Sequence, residues 1–311
     1  MSDQKYRLVT RSDFDGLVCA ILLNEMKLID EIKFVHPKDM QDGKVAITDR
    51  DITTNLPYVP GAHLAFDHHA SETIRNAGEK PKNYIIYPGA PSAARVVYEC
   101  YGGSGRFPKS FDDMMIAVDK GDAAEFSREE ILDPTGWALL NYLMDSRTGL
   151  GRFREFRVSN YQLMMDLIKY VRDHNIDEVL ALPDMVERVT LYFDHAAKAK
   201  EQIKRCTAVH GKLALLDLRN EETIFAVNRF MIYALFPETN ISIHAMWGVQ
   251  KQNTVFATGK SITNRTSKTN IGTLMLSYGG GGHENAGTCQ IANDQAEKVL
   301  KELIAKINAD G

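Results

Sequence analysis

A short, mostly apolar run at residues 63–66 stops abruptly at one acid and two imidazoles, Asp67, His68 and His69. A strand this short, ending in side chains of the ligand type, points them past the carboxyl edge of a sheet, where open α/β folds place their ligands. Two neighbouring histidines alone are more often solvated than ligating. The interpretation therefore depends on the residues at the ends of the other predicted strands.

A second acidic cluster comes after another short predicted strand, at residues 6–10. Asp13 and Asp15 lie two residues apart, and a helical pattern begins at Gly16. Two carboxylates on one turn can hold two neighbouring divalent cations. The alternative is a solvated turn whose acid caps the helix.

Strand patterns alternate with helical patterns through the first half of the chain, which predicts an α/β fold with a mostly parallel, doubly wound sheet. Another acidic pair, Asp49 and Asp51, comes after the predicted strand at 45–48, and the spacing leaves open which of the two faces a pocket. Ser92 is predicted to cap a helix from Ala93. The predicted strands are 6–10, 32–35, 45–48, 63–66 and 84–87.

The second half predicts a smaller α/β domain after a helical region. We place a catalytic domain at 1–190, a helical linker at 191–206 and a second domain at 207–311, and we assign the charged helix at 189–205 to a solvated spacer. Four consecutive glycines at 279–282 precede His283. Ordering a glycine costs roughly 0.5–1 kcal/mol relative to alanine, so we expect these glycines to let backbone N–H groups approach an anion.

The amino-acid composition argues against several classes of protein. The 311 residues are 44% apolar and 25% charged, which is ordinary for a globular protein, and a net charge of -4 argues against a basic track for long nucleic acid. The four cysteines form no Cys-x-x-Cys pair, so we expect neither disulfides nor a thiolate metal site. No apolar run predicts a signal peptide or a membrane span, and we expect a cytoplasmic protein.

Together these motifs resemble the DHH phosphoesterase superfamily, in the branch that carries a C-terminal DHH-associated domain. The resemblance covers nearly the whole chain and implies a dinuclear centre, usually Mn, with Mg or Co as alternatives. It implies a cation ligand at each of Asp13 and Asp15, a bridging acid at Asp49 or Asp51, His68 as a ligand, and Asp122 or Asp119 completing the second site. It places Asp67 and His69 beside His68, and we count all three of these residues as catalytic.

One departure concerns Arg11. Many relatives have a histidine just ahead of the first acid, whereas this chain has Arg11 in that region. Arginine cannot ligate a cation, so the sequence leaves open whether the chain holds one metal or two. Contact with phosphate is the alternative role for Arg11.

The resemblance implies a phosphodiesterase that cleaves very short RNA, such as 5′-phosphorylated dinucleotides, to mononucleotides. Hard oxygen ligands with imidazole suit Mn or Mg, and paired cations activate water for in-line attack. The candidate substrate-binding residues are Arg11, His69, Arg265, Gly280, Gly281, Gly282 and His283. The alternatives are an exopolyphosphatase, a 3′-phosphoadenosine 5′-phosphate phosphatase, a cyclic-dinucleotide phosphodiesterase and a catalytically silent nucleotide sensor. A homodimer is compatible with the sequence.

Overall fold

The computed structural model describes residues 4–69 and 81–311. The described chain divides into two compact units, the first holding residues up to Phe126 together with Pro134–Thr190, and the second holding Ser127–Asp133 and Leu191–Gly311. Each unit contains one sheet together with helices, which confirms the predicted two-domain α/β class. No helix among the described residues has the length and apolarity that a bilayer crossing requires.

The first unit is built on a five-stranded sheet in which every pairing is parallel. Its strand order is β2-β1-β3-β4-β5, so the chain starts in the interior of the sheet. In a parallel sheet all carboxyl ends meet at one edge, and the loops after these strands therefore lie together. The strands are β1 Tyr6–Arg11, β2 Ile29–Val35, β3 Asp51–Thr54, β4 Leu64–Asp67 and β5 Tyr84–Ile86.

The position of β3 differs from the sequence prediction. Residues 45–48 are not a strand, and their apolar side chains Val45 and Ile47 pack against a small cluster that contains Val9 and Met40. The strand begins instead at Asp51, which places that acid at the amino end of β3 rather than past its carboxyl end.

The helix after β1 is buried almost throughout, because it is apolar on every side. Asp13 caps it by accepting a hydrogen bond from the Gly16 backbone N–H at 3.0 Å. Gly16 lies so close to β1 that a Cβ at this position would be 1.9 Å from the Arg11 carbonyl oxygen. The tight turn from strand to helix therefore requires glycine here.

Twelve α-helices lie in the described residues. The predicted cap of the third is confirmed, since Ser92 accepts a hydrogen bond from the Arg95 N–H at 3.0 Å. Short 3-10 turns occur at Gly103–Gly105, Lys109–Phe111, Ser146–Thr148, Leu150–Arg152 and Val249–Lys251. The helices are α1 Phe14–Glu25, α2 Pro37–Gln41, α3 Ala93–Cys100, α4 Asp112–Asp122, α5 Arg128–Leu132, α6 Gly136–Met144, α7 Asn160–Asp173, α8 Ile176–Leu180, α9 Pro183–Cys206, α10 Met231–Leu235, α11 Ile271–Leu276 and α12 Ala296–Asp310.

The second unit has a six-stranded mixed sheet of order β10-β11-β9-β8-β7-β6, in which only β7 and β8 pair in parallel. Its core lies between this sheet and the helices α11 and α12. The four cysteines of the chain are free thiols, as the sequence predicts. The strands are β6 Thr207–His210, β7 Leu213–Asp217, β8 Ile241–Trp247, β9 Thr254–Lys260, β10 Gly281–His283 and β11 Ala286–Ile291.

The expectation of a solvated spacer at 189–205 is wrong. Helix α9 buries one face, including Tyr192 and Ile203, and Tyr192 accepts a hydrogen bond from Asn228 Nδ2 at 2.9 Å. Asn228 also donates to the Ile131 carbonyl at 2.9 Å, which explains why the segment Ser127–Asp133 belongs to the second unit.

We expect Gly16→Ala to lower the free energy of unfolding by on the order of 3 kcal/mol, because the added methyl group meets rigid backbone rather than a side chain that can move. Thermal and urea unfolding followed by circular dichroism measure the loss. Gly105→Ala is the matched control, since a Cβ at Gly105 meets nothing within 4 Å. Equal stability of the two variants would contradict the close approach.

Candidate metal centre at the carboxyl edge of the parallel sheet

Three neighbouring strands deliver polar side chains to one edge of the parallel sheet. Asp13 comes after β1, Asn55 comes after β3, and Asp67 ends β4 and is continued by His68 and His69. The structure therefore brings together the two cation-binding motifs that the sequence singled out, in the way the parallel topology predicts.

The centre of this edge is a group formed by Asp15, His68 and Asp122. One ligand atom from each of these residues lies within 4.8 Å of the others, a spacing that fits a single divalent cation. Asp15 comes from the first turn of α1, His68 from the loop after β4, and Asp122 from the last turn of α4. Two carboxylates and one imidazole suit Mn or Mg.

Asp15 is the most buried member of the group, with 3% of its surface exposed. Its two carboxylate oxygens accept hydrogen bonds from the backbone N–H groups of Ala93, at 3.0 Å, and Ala94, at 2.7 Å, in the first turn of α3. Helix N-termini stabilise negative charge in this way. Burial and the nearby Asp122 nevertheless raise the pKa of Asp15 to about 7.

The ring of His68 is oriented for ligation through Nε2. Nδ1 lies 3.2 Å from the Ala90 carbonyl oxygen, which can only accept, so Nδ1 carries a hydrogen and Nε2 keeps its lone pair whenever the ring is neutral. Nε2 is buried and lies 3.0 Å from Asp122 Oδ2. An imidazole lone pair and carboxylate oxygens that face one another repel. A cation bound between them would be attracted to both and would remove this repulsion. The residues present thus fit a divalent cation.

The charges of His68 and Asp122 stabilise one another. Burial alone would lower the pKa of His68, but the facing Asp122 carboxylate, with Asp15, raises it to about 9. Burial would likewise raise the pKa of Asp122, but His68 holds it below its ordinary value. The same carboxylates that would hold a cation therefore favour a positive charge on His68.

Asp67 holds the imidazole of His69. Its Oδ1 lies 2.6 Å from His69 Nδ1 and accepts from the His68 backbone N–H at 2.9 Å, while Oδ2 accepts from the Tyr84 hydroxyl at 3.1 Å. Burial would lower the pKa of His69, but Asp67 raises it above its ordinary value. The His69 ring lies 4.4 Å from the His68 ring between centroids, so Asp67 fixes His69 beside the group.

Asp13 lies at the same edge but outside the three-residue group. Its Oδ2 is 2.9 Å from Arg11 Nε, and its Oδ1 accepts from Asn55 Nδ2 at 3.2 Å as well as from Gly16. Burial raises the pKa of Asp13, although the Arg11 guanidinium works in the opposite direction.

The structure corrects the predicted bridging ligand. Asp49 is exposed, and Asp51 lies at the amino edge of the sheet. Asp51 Oδ1 is 2.6 Å from Arg7 Nε, and Oδ2 accepts from the Thr48 N–H at 2.7 Å. Because strand direction puts both acids away from the carboxyl edge, neither lies in the group.

Asp119 is separated from the group by its own partners. It accepts from Ser92 Oγ at 2.7 Å and forms an ion pair with Arg95 at 2.5 Å. Of the two acids that the sequence left open on α4, only Asp122 joins Asp15 and His68.

Sequence reasoning missed two residues of this edge. Asn55 is 2% exposed and comes after a strand whose bounds differ from the predicted ones. Arg147 pairs with Asp145 at 2.7 Å and lies close enough to Asp13 and Asp122 to interact with their charges. No local motif marks Arg147, because it comes from a turn far along the chain. Correct bounds for β3 would have pointed to Asn55.

Packing explains part of the glycine run in the second unit. A Cβ at Gly280 would lie 2.2 Å from the Thr288 carbonyl oxygen, and one at Gly282 would lie 2.3 Å from the Ala286 carbonyl oxygen. Gly281 differs, since a Cβ there meets nothing within 4 Å. Gly281, Gly282 and His283 form the exposed strand β10, and Arg265 is exposed on the loop between β9 and α11. The prediction that these residues bind substrate stays a prediction.

The chain is similar along its whole length to a pGpG-specific phosphodiesterase, PggH, from Vibrio cholerae. The two are 64% identical, the match covers 99% of this chain and 100% of that chain, and the TM-score is 0.84. No protein-family model and no curated protein matches the chain.

Two more distant structures share the fold alone. RecJ from Thermus thermophilus in complex with Mn²⁺ is 12% identical, with 98% of this chain and 52% of that chain covered and a TM-score of 0.54. CDC45 from Entamoeba histolytica is 9% identical, with 98% and 96% covered and a TM-score of 0.50.

A parallel sheet with acids and an imidazole at its carboxyl edge, in a chain 64% identical to a phosphodiesterase, defines a hydrolase of phosphoester bonds. The chain belongs to the DHH phosphoesterase superfamily.

Cation binding should be coupled to proton release. With the pKa of His68 at about 9, the metal-free imidazole is protonated at neutral pH, and a cation can bind only its neutral form. We expect the affinity for Mn²⁺ to rise about tenfold per pH unit between about pH 7 and 8.5. Calorimetric titration in two buffers of different ionisation enthalpy measures the released protons. Identical heats in both buffers and a pH-independent affinity would contradict this linkage.

Proposed function

We propose that the chain is a divalent-metal-dependent phosphodiesterase that hydrolyses 5′-phosphorylated dinucleotides, pGpG foremost, to mononucleotides. The observation that carries the proposal is the group of Asp15, His68 and Asp122 in a chain 64% identical to a pGpG-specific phosphodiesterase. Mn is the proposed ion, with Mg or Co as alternatives.

The acids and imidazoles at the carboxyl edge have different proposed roles in the reaction. Asp15, His68 and Asp122 would hold the cation, which when bound polarises a phosphoryl oxygen and lowers the pKa of water. His69, oriented by Asp67, would contact the scissile phosphate or the leaving oxygen. No protein nucleophile is needed, because the family's reaction uses water.

Cationic side chains beside the group support an anionic substrate. Arg11 has 31% and Arg147 has 47% of its side chain exposed, and each lies near the carboxylates. Both can therefore offer guanidinium N–H groups to phosphate oxygens, which arginine binds well. We also propose that Arg265, Gly281 and His283 of the second unit contact substrate phosphate.

Tyr87 is the proposed stacking residue for a base. It comes directly after β5 at the carboxyl edge, its backbone N–H donates to the Asp67 carbonyl at 3.1 Å, and its side chain is 54% exposed. Phe126 and Tyr142 fit this role less well, since both are buried. Stacking on an exposed ring favours a nucleotide over polyphosphate.

A substrate panel tests the proposal. With Mn²⁺ present, we expect 5′-phosphorylated diguanylate to be cleaved to mononucleotides at least about 100-fold faster than an RNA of about 20 nucleotides, because a chain of net charge -4 attracts a long polyanion poorly. Polyphosphate, 3′-phosphoadenosine 5′-phosphate and a cyclic dinucleotide complete the panel. Equal rates on the dinucleotide and the long RNA, or preference for another member, would overturn the substrate assignment.

Matched variants separate an enzyme from a silent sensor. Asp122→Asn should abolish hydrolysis, whereas Asp173→Asn, the same change at an acid whose side chain is 60% exposed at the end of α7, should retain it. A dinucleotide that binds but is never cleaved with any divalent ion would support the sensor.

Tyr87→Ala should raise the KM for pGpG about tenfold, since base stacking on an aromatic ring is worth about 1–3 kcal/mol. Its kcat on bis(p-nitrophenyl) phosphate, which has no nucleobase, should change little. Tyr161→Ala is the control, because Tyr161 is similarly exposed, at 51%, and packs on Phe34 instead. Equal KM values in the two variants would exclude Tyr87 from base binding.

A further inference from the structure

Asp13 is already engaged by donors of this chain on both carboxylate oxygens. Oδ2 is 2.9 Å from Arg11 Nε. Oδ1 accepts from the Gly16 N–H at 3.0 Å and from Asn55 Nδ2 at 3.2 Å. One of these donors carries a full positive charge, and the other two are neutral amides.

These donors are unfavourable for a cation at Asp13. A divalent cation needs several oxygen or nitrogen lone pairs directed at it, whereas a guanidinium has no lone pair to offer and repels positive charge. Asn55 turns its Nδ2 toward Asp13, which is the orientation that a carboxylate selects, since it can only accept. The surroundings of Asp13 therefore neutralise it without a metal.

The cluster geometry leads to the same conclusion. Among residues 4–69 and 81–311, the group with metal-ligand spacing is Asp15, His68 and Asp122, and Asp13 is not a member. The predicted bridging acid is missing as well, since Asp51 is paired with Arg7 at the opposite edge of the sheet. Two of the ligands that a dinuclear centre would need are thus committed elsewhere.

We infer that the chain binds a single divalent cation, at Asp15, His68 and Asp122, and that the Arg11 guanidinium supplies at Asp13 the positive charge that a second cation would supply. The resemblance implied a dinuclear centre, and the contacts of Asp13 disagree with it. This inference rests on the cation site of the proposed function but not on its substrate.

A fixed guanidinium changes how the site responds to its surroundings. Arginine stays protonated throughout the physiological pH range, so its charge is independent of metal supply. The activity should then follow Mn²⁺ concentration as a single saturable step with no second phase.

Metal content measured by inductively coupled plasma mass spectrometry, with calorimetric stoichiometry, tests the inference on the full chain. The wild type should hold about one Mn²⁺ per chain. Asp13→Asn and Asp15→Asn are a matched pair, since asparagine still caps α1 at position 13. Asp13→Asn should keep the cation with its affinity within about twofold, and Asp15→Asn should lose it.

Asp122→Asn provides a second loss variant should Asp15→Asn fail to fold, and thermal unfolding shows which variants are native. Two cations per wild-type chain, or loss of the cation in Asp13→Asn, would overturn the inference. A stoichiometry of one in a chain that cleaves no dinucleotide would overturn the proposed substrate while leaving the single-cation inference intact.

Discussion

The buried carboxylate of Asp15 is the constraint on which the rest of the first unit depends. Placing a carboxylate at 3% exposure is unfavourable unless donors surround it. Two backbone N–H groups of α3 and the charge of His68 supply that surrounding, while the carboxylate itself belongs to α1. The same residue therefore ties two helices together and faces the proposed cation. Removing it would affect both packing and chemistry.

The side chain with which each acid of this unit is paired decides whether that acid is available to bind a cation. Asp119 and Asp51 are each paired with an arginine, and Asp13 is paired with Arg11, while Asp15 and Asp122 share the imidazole of His68. Acidic residues look alike in a sequence, but an acid with a guanidinium partner is already neutralised. The cation site is thus defined as much by where the arginines lie as by where the acids lie.

The sequence is sufficient to predict the fold class. It also predicts that Asp13, Asp15 and His68 lie at one edge of the sheet, because strand direction alone brings these residues together. It fails at β3 for a physical reason. Three of its four residues, Asp51, Thr53 and Thr54, are polar yet buried, and Thr54 donates from its hydroxyl to the Thr10 hydroxyl at 2.7 Å, so this strand shows no apolar pattern. The more apolar stretch at 45–48 has the stronger strand pattern, and Asn55 is missed as a result.

Long-range pairing sets the other limit of prediction. Arg147 reaches the edge from a turn more than a hundred residues away, and no spacing rule connects it to Asp13. Helix α9 has the pattern of a solvated helix because lysines interrupt its apolar face, yet Tyr192 and Ile203 are buried. Both cases depend on tertiary contacts that local periodicity does not encode.

The ion pair of Arg7 and Asp51 helps to fix the register of β1 against β3. This register sets the positions of the residues at the far ends of the same strands. These two residues are direct neighbours in the pairing of β1 with β3, and the register continues to Thr10 opposite Thr54. A slip of two residues would displace Asn55 by about 7 Å along the strand, since each residue advances about 3.3 Å. The ion pair at the amino edge of the sheet therefore helps to align Asn55 with Asp13 at the carboxyl edge.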